Sequence, residues 1–210
     1  MSTMLTADSQ MLKMPGLDFD ELSHTYKLEG TVIPSVSRVM DILRKEYYQG
    51  ISERTLEKAA NKGSIVHNGI ENWIKFDIDD IPNEYHGYFD GFLEWWEKNK
   101  PVVVASELRV YHKLLRYGGT LDLLCYIDGK LVLIDYKSTW NLSEMLCRVQ
   151  LQAYEEALAS HGIRVDEKRI LHLKRDGKWK DPVFEAKDAI AWRVFGSLKS
   201  VFDYMESYKK

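Results

Sequence analysis

The segment from Leu121 to Lys137 restricts the fold more than any other part of this chain. Two apolar runs with β-branched residues flank the dipeptide Asp128-Gly129. An Asp-Gly pair between such runs is a strong signal for a two-residue hairpin turn, because both turn positions need a positive φ. The sequence therefore predicts strands over residues 120–127 and 130–137, joined by a tight turn.

That turn places two carboxylates face to face. If Ile127 pairs with Lys130, the same register sets Asp122 opposite Asp135 as a non-hydrogen-bonded pair, with Cα atoms about 4.5 Å apart. Lys137 lies two residues beyond Asp135 and therefore shares its face. Like charges opposite each other destabilise a sheet. A divalent cation, a shared proton or the ammonium group of Lys137 is needed to neutralise them.

A divalent cation fits this pair best, since Mg²⁺ is commonly held by one or two carboxylates together with waters and substrate phosphate. A metal beside a lysine indicates phosphodiester hydrolysis, in which the cation activates water and stabilises negative charge. The competing interpretation is structural: Asp122 lies at a frayed strand end in water, or Asp135 and Lys137 form an ordinary ion pair. The apolar run over residues 131–134 favours a buried site.

The segments around the hairpin predict an α/β chain of the α+β type. Apolar residues at helical spacing predict a helix ending before Pro101, a helix over about 143–160 and a C-terminal helix. A helical region over 53–75 is expected to be interrupted at 61–63. Strands are predicted over 24–28, 31–33 and 102–112, and Asp176-Gly177 predicts a second hairpin. A helix capped by Ser35 or Ser37 is expected to run to about residue 47.

Composition limits the class of protein. The chain has 210 residues, a formal net charge of −3 and 45% hydrophobic residues, which is ordinary for a globular protein. We expect a flexible N-terminal arm over residues 1–16 and a single domain over 17–210. The sequence shows no apolar run of 18 residues and no secretory leader, which favours a cytoplasmic protein with no membrane contact. Cys125 and Cys147 form no C-x-x-C motif, so we expect two buried thiols.

Several motifs of the chain resemble those of a known family, the PD-(D/E)XK nuclease superfamily. Its motifs II and III are similar to Gly119-Thr120-Leu121-Asp122 and Ile134-Asp135-Tyr136-Lys137-Ser138-Thr139. Within the superfamily the chain resembles the RecB-like exonucleases, which include phage recombination exonucleases and the mitochondrial genome maintenance exonuclease. The Gly-x-x-x-His motif of that branch matches Gly63 to His67, and its Gln-h-x-x-Tyr motif matches Gln150 to Tyr154.

The resemblance implies a restriction-endonuclease-like αβββαβ core over about residues 63–175, in which helices flank a central mixed sheet, with an extra N-terminal hairpin and helices. It implies a divalent-metal-dependent deoxyribonuclease, most readily an exonuclease on DNA ends in recombination, repair or phage DNA metabolism. The partners would be single-stranded DNA or duplex ends, a recombination partner, or further copies of the chain. Iron–sulfur members carry four cysteine ligands, and this chain has two cysteines, so no iron–sulfur cluster is expected.

The resemblance also assigns roles to individual residues. Asp122, Asp135 and the main-chain carbonyl of Tyr136 would hold Mg²⁺ or Mn²⁺, with His67 as a nitrogen ligand that favours Mn²⁺. The catalytic set would be the two aspartates with Lys137, which would assist attack by a metal-activated water. Residues expected to contact DNA or to support the site are Ser138, Thr139, Gln150, Tyr154, Arg109, Lys174 and Arg175.

The roles of two glutamates, and the function of the chain, each have more than one interpretation. Glu107 lies in the strand before Asp122 and is either a further metal ligand or a salt-bridge partner of Arg109 or Lys113. Glu71 follows His67 by one helical turn and is expected to be solvated rather than to orient that histidine. The alternative functions are a non-catalytic nucleic-acid-binding module that retains the nuclease fold and a hydrolase of small phosphate esters. Retention of both aspartates and the lysine argues against the non-catalytic module.

Overall fold

The computed structural model describes residue 12 and residues 14–209. Most of the predicted N-terminal arm, residues 1–11 and 13, lies outside the described residues. Where the end of the arm is described, it contacts the rest of the chain: Met14 is buried, and the Tyr111 hydroxyl donates a hydrogen bond to the Pro15 carbonyl at 3.1 Å. Within this described part, no helix is both long and apolar enough to cross a membrane.

The helices and strands fall into two blocks along the chain. The N-terminal block contains β1 (Leu17–Asp20), β2 (Thr25–Leu28), β3 (Thr31–Ile33), α1 (Val36–Val39), α2 (Asp41–Tyr47), α3 (Glu53–Phe76), a short 3-10 helix (Asn83–Tyr85) and α4 (His86–Asn99). The second block contains β4 (Val102–Tyr111), β5 (Gly118–Ile127), β6 (Lys130–Lys137), α5 (Glu144–Ser160), β7 (Glu167–Leu173), β8 (Trp179–Lys180), β9 (Val183–Phe184) and α6 (Ala189–Ser207).

The central sheet has the strand order β4-β5-β6-β7-β8, and β9 pairs with β7. The pairs β4–β5 and β5–β6 are antiparallel, whereas β6 and β7 run parallel. Strands β1, β2 and β3 form a separate antiparallel sheet. This arrangement confirms the predicted mixed sheet with flanking helices and an additional N-terminal hairpin.

Alternate residues of the central strands pack into hydrophobic cores on opposite faces of the sheet. Leu124 and Leu133 belong to one core with residues of α5 and α6, and their neighbours Leu123 and Ile134 belong to the other with residues of α3 and α4. The aromatic residues Tyr88, Phe89, Phe92 and Trp95 of α4 lie in this second core. Both cysteines are buried, as predicted.

The central hairpin has the predicted turn and register. Asp128 and Gly129 have φ angles of 50° and 78°, as a two-residue turn of this kind requires. From the turn as far as the pair Leu123 and Ile134, every pair follows the predicted register. The turn chemistry therefore fixed the alignment of these two strands.

Two helix predictions were wrong. The expected interruption at residues 61–63 does not occur, and α3 continues through Gly63. A glycine costs a helix interior only about 1 kcal/mol, and α3 buries Val66 and Ile70 completely, so tertiary packing outweighs that cost. The helix expected to run to residue 47 is divided at Met40 into α1 and α2, and Ser35 caps the first of them.

The C-terminal hairpin is also more divided than predicted. Its turn lies at the expected place, but the second arm is split into β8 and β9 by Asp181 and Pro182. Proline has no N–H to donate to a strand ladder. The side chain of the neighbouring Asp181 accepts hydrogen bonds from Trp95 and Arg169. Strand β1 was not predicted at all.

Candidate active site

The candidate site lies where β5 and β6 stop pairing. Beyond Leu123 and Ile134 the ladder opens, and β6 continues in partnership with β7 alone. The Tyr136 N–H is free of β5 as a result, and it donates a hydrogen bond to Asp122 Oδ2 at 2.5 Å. The predicted cross-strand pair of Asp122 with Asp135 is therefore not part of the ladder, because the Asp122 carboxylate takes the place of a backbone acceptor.

Glu107 on β4 brings a second carboxylate to Asp122. It lies between the pairs Ser106–Leu123 and Leu108–Leu121, and the ladder contains no pair at this position. Its φ is 51°, in a region that non-glycine residues rarely adopt. Side-chain ligand atoms of Glu107, Asp122 and His67 all lie within 4.8 Å of one another.

His67 reaches this group from helix α3. Its Nδ1 lies 3.3 Å from Asp122 Oδ1, and its Nε2 donates to the main-chain carbonyl of Tyr136 at 3.1 Å. Gly63, about one turn earlier on α3, faces the loop after β6, where a Cβ would lie 4.0 Å from Ser138 Oγ. The imidazole, both carboxylates and the carbonyl that the sequence singled out thus meet at one end of the sheet.

The charges in this group depend on one another. Burial alone would lower the pKa of His67, but the charge and hydrogen bond of Asp122, together with the charges of Glu107 and Asp135, raise it to about 9. Burial raises the pKa of Glu107, and Asp122 raises it further, to about 8. Burial also disfavours the charged form of Asp122, yet the interaction with His67 holds the pKa of Asp122 below its ordinary value. The group therefore requires positive charge, which a proton or a divalent cation supplies.

Asp135 and Lys137 form a pair next to this group, on the face of the sheet that carries α5. The Lys137 ammonium contacts Asp135 Oδ2, and their side chains are 23% and 3% exposed, respectively. Burial raises the pKa of Asp135 to about 6, against the opposing charge of Lys137. Gln150 Nε2 donates to Asp135 Oδ1 at 3.1 Å and to the Tyr154 hydroxyl at 3.2 Å. Gln150 and Tyr154 thus point at one place, as their spacing predicts.

The start of β5 packs closely against α5 and the N-terminal segment. Gly119 lies so near α5 that a Cβ there would come within 2.6 Å of Tyr154 Cε1 and 3.3 Å of Val36 Cγ2. The neighbouring Thr120 hydroxyl shares a hydrogen bond of 2.7 Å with the Tyr26 hydroxyl on β2. The N-terminal sheet therefore contacts β5 two residues before Asp122.

The donor atoms fit a hard divalent cation. Carboxylate and carbonyl oxygens suit Mg²⁺ and Mn²⁺, and an imidazole moves the preference toward Mn²⁺. His67, Glu107 and Asp122 supply such a set, with the Tyr136 carbonyl beside it. Asp135 is not in the group of three, since its oxygens face Lys137 and Gln150. Its role as a metal ligand stays a prediction.

Other residues that the sequence singled out lie outside this group. Arg109 pairs with Glu21 at 2.9 Å instead of with Glu107, and its guanidinium lies over the Phe19 ring. Glu71 is 27% exposed and pairs with Lys75. Glu107 therefore does not form the salt bridge with Arg109 that was the alternative to metal binding. Glu71 forms an ion pair with a lysine of its own helix.

The loop after β6 is held by residues that the sequence did not single out. Lys62 Nζ donates to the Ser138 carbonyl at 2.6 Å, and His172 Nε2 donates to the Thr139 carbonyl at 2.7 Å. Lys62 precedes Gly63 of the Gly-x-x-x-His motif, which was the only local signal for it. Lys174 also reaches this loop, whereas Arg175 lies exposed in the turn before β8.

Comparison with known proteins identifies one family. The profile of the PD-(D/E)XK nuclease superfamily matches residues 44–193, which is more than two-thirds of the chain. None of the curated proteins compared with the chain matches it.

Several solved structures have a similar fold, each at 12% sequence identity. SSO0001 has a TM-score of 0.46, with 83% of this chain and 76% of that chain covered. LHK-Exo in complex with dAMP has a TM-score of 0.45, with coverages of 82% and 87%. LHK-Exo, described as an alkaline exonuclease from Laribacter hongkongensis, has a TM-score of 0.42, with coverages of 82% and 91%.

Proposed function

The chain belongs to the PD-(D/E)XK nuclease superfamily, and from that premise we propose that it is a divalent-metal-dependent deoxyribonuclease acting at DNA ends. The observation that carries the proposal is the meeting of His67, Glu107 and Asp122 within 4.8 Å, beside the Tyr136 carbonyl and next to Lys137. These donors come from the helix α3 and the strands β4, β5 and β6.

Each residue has a defined part in this proposal. His67, Glu107, Asp122 and the Tyr136 carbonyl hold Mg²⁺ or Mn²⁺, and Asp135 completes the site from the side of α5. A cation bound there supplies a Lewis acid that activates water and stabilises charge on the phosphate. Lys137 orients the attacking water and stabilises developing negative charge.

The residues around this centre support it. Gln150 donates to Asp135 and thereby fixes the carboxylate that pairs with Lys137. Tyr154 accepts a hydrogen bond from Gln150 and packs against Gly119, so the position of Gln150 depends on the contact between α5 and β5. We assign these two residues a positioning role.

The choice of exonuclease rests on the motifs shared with RecB-like exonucleases. His67 and Gln150, the characteristic residues of those motifs, both lie beside the aspartates. A role in recombination, repair or phage DNA metabolism follows from the same resemblance and is part of the proposal, as are the recombination partner and self-association.

The test uses three substrates, namely end-labelled linear single-stranded DNA, end-labelled linear double-stranded DNA and closed circular DNA. Each is incubated with Mg²⁺, Mn²⁺ or EDTA. We expect linear single-stranded or double-stranded DNA to be shortened from its ends in the presence of metal, while closed circular DNA stays intact. Cutting of circular DNA would favour an endonuclease. Binding without cleavage under every metal condition would favour the non-catalytic module.

Variants separate the proposed roles from a contaminating activity. Lys137→Ala and Asp122→Asn should each lower the cleavage rate by at least about a hundredfold, because general acid–base and electrostatic groups typically contribute that much. Lys209→Ala and Asp128→Asn, at the C-terminal end of the chain and in the hairpin turn, serve as matched controls. Undiminished cleavage by Lys137→Ala would contradict the role of Lys137.

A further inference from the structure

A row of basic side chains leads from the candidate active site across one face of the sheet. Lys137 on β6 pairs with His172 on β7, and His172 pairs with Lys180 on β8. Paired residues on neighbouring strands project from the same face, and the strands are about 4.8 Å apart. Lys174 lies two residues after His172 and continues the row beyond the end of β7.

Lys137 is paired with Asp135, whereas the lysines farther from the candidate site have no carboxylate in direct contact within the described residues. Over residues 14–209, no acidic side chain lies within 4.0 Å of the ammonium groups of Lys62, Lys174 or Lys180. Burial lowers the pKa of Lys174, and the charges of Lys180 and Lys62 lower it further, against the opposing charge of Asp176. The three ammonium groups are therefore close enough to repel one another, and an anion bound between them would relieve that repulsion.

Side chains of this surface hold the loop that carries Trp140. Three successive carbonyls of this loop accept hydrogen bonds: Ser138 from Lys62, Thr139 from His172, and Trp140 from Lys174 at 2.5 Å. The Trp140 side chain is nevertheless 87% exposed. Tryptophan is on average a highly buried residue. The loop thus has a fixed backbone and an indole that projects into solvent next to unbalanced positive charge.

We propose that Trp140 and the lysines of this surface, Lys62, Lys174 and Lys180, bind an unpaired DNA strand next to the scissile phosphodiester. A base stacks on the indole while the lysines contact phosphates, which is the combination that single-strand binding requires. A paired duplex has its base faces already stacked, so the strand at this edge is single-stranded. This inference rests on the proposed function and names the substrate class of that site.

The test measures binding separately from cleavage. The affinity of a labelled single-stranded oligonucleotide is measured by fluorescence anisotropy in EDTA, and its degradation is measured in parallel with Mg²⁺ or Mn²⁺. Trp140→Ala should weaken binding by about five- to a hundredfold, the effect of losing one stacked base. Trp140→Phe retains an aromatic face and should recover most of the affinity. Tyr208→Ala, which removes another exposed aromatic ring, is the matched control and should bind as the wild type does.

Salt dependence and a duplex substrate give two further readouts. Lys180→Gln should lower the slope of log affinity against log salt concentration by about 0.7, as expected for one lost phosphate contact to a single strand. A blunt duplex should bind more weakly and respond little to Trp140→Ala. An equal loss on the blunt duplex, or wild-type binding by Trp140→Ala, would overturn the inference. Binding that depends on Trp140 in a protein that cleaves nothing would contradict the proposed function alone.

Discussion

Glu107 and Asp122 face each other across β4 and β5 at a position where the ladder contains no backbone pair. Glu107 holds a φ of 51° there, and its carboxylate shares a group of ligand atoms with Asp122. A non-glycine residue in such a conformation costs about 1–3 kcal/mol, and like charges in opposition add to the cost. The surrounding strands therefore maintain a locally unfavourable arrangement, as a preformed cation site requires.

Neutralising Glu107 should increase the stability of the metal-free protein and weaken metal binding. Above about pH 8, where Glu107 is ionised, Glu107→Gln removes the repulsion with Asp122, so the free energy of unfolding in EDTA at pH 9 should rise by about 0.2–1 kcal/mol. The affinity for Mn²⁺, measured by calorimetry, should fall because one oxygen ligand is lost. Glu57→Gln, at an exposed position of α3, should change neither quantity. A less stable Glu107→Gln protein in EDTA would contradict this account of the site.

Divalent metal should raise the thermal stability of the wild type through these residues. A ligand that binds only the folded state adds about 2.7 kcal/mol at a concentration of a hundred times its dissociation constant. In Asp122→Asn the amide oxygen still accepts from the Tyr136 N–H, so the protein should fold but lose most of the rise in Tm with Mn²⁺. His67→Asn should lose it as well. Asp128→Asn should keep the wild-type shift, and a full shift in Asp122→Asn would exclude Asp122 as a ligand.

Much of this site was predictable from sequence because local chemistry determines it. The Asp128-Gly129 turn fixes the register of β5 and β6, and that register brings Asp122 and Asp135 to the same end of the hairpin. The spacing of Gln150 and Tyr154 on one helix likewise places both on one face. In each case the interaction depends on residues close in sequence or joined by one turn.

The remaining features depend on tertiary contacts that no local pattern carries. The ladder between β5 and β6 opens beyond Leu123 and Ile134, where the Asp122 side chain accepts from the Tyr136 N–H. There β6 stays paired with β7, which lies beyond α5 in the chain. The positive φ of Glu107 has no signal in its neighbours Ser106 and Leu108, since neither is a turn residue. Helix α3 continues through Gly63 because its apolar face packs against the sheet, which outweighs the helix propensity of one glycine.

A side chain at position 119 should disturb the site through Tyr154. In Gly119→Ala the new Cβ would lie 2.6 Å from Tyr154 Cε1, so the ring must move and take its hydrogen bond with Gln150 along. Overpacking of this kind typically costs about 1–3 kcal/mol, which urea unfolding would detect, and cleavage should fall with it. Gly196→Ala on α6 meets no atom within 4 Å, so it should be stabilising by up to about 1 kcal/mol. If Gly119→Ala were as stable as the wild type, the close packing of Tyr154 on β5 would be in doubt.

Stability at low pH should depend on Asp188, the N-cap residue of α6. Asp188 Oδ1 accepts from the Ala191 N–H at the start of α6, and Oδ2 accepts from Arg148 Nε at 2.6 Å. The hydrogen bond from Arg148 holds the pKa of Asp188 below its ordinary value of 3.8, against the effect of burial. A depressed folded-state pKa gives stability that is complete above the unfolded value and is lost as pH falls through the folded one.

Asp188→Asn should therefore be less stable than the wild type at pH 7, by about 1.5 kcal/mol for a hydrogen bond to a charged group. Asparagine still caps the helix, so the difference reports the ion pair with Arg148. Urea unfolding at a series of pH values should show the difference between the two proteins shrinking as the pH falls below about 4, because the unfolded wild-type chain then takes up a proton at Asp188 before the folded protein does. The ionic part of the difference is lost once the pH has fallen through the folded-state pKa. A difference that stayed constant down to pH 3 would mean that the cap and packing, rather than the charge of Asp188, stabilise this end of α6.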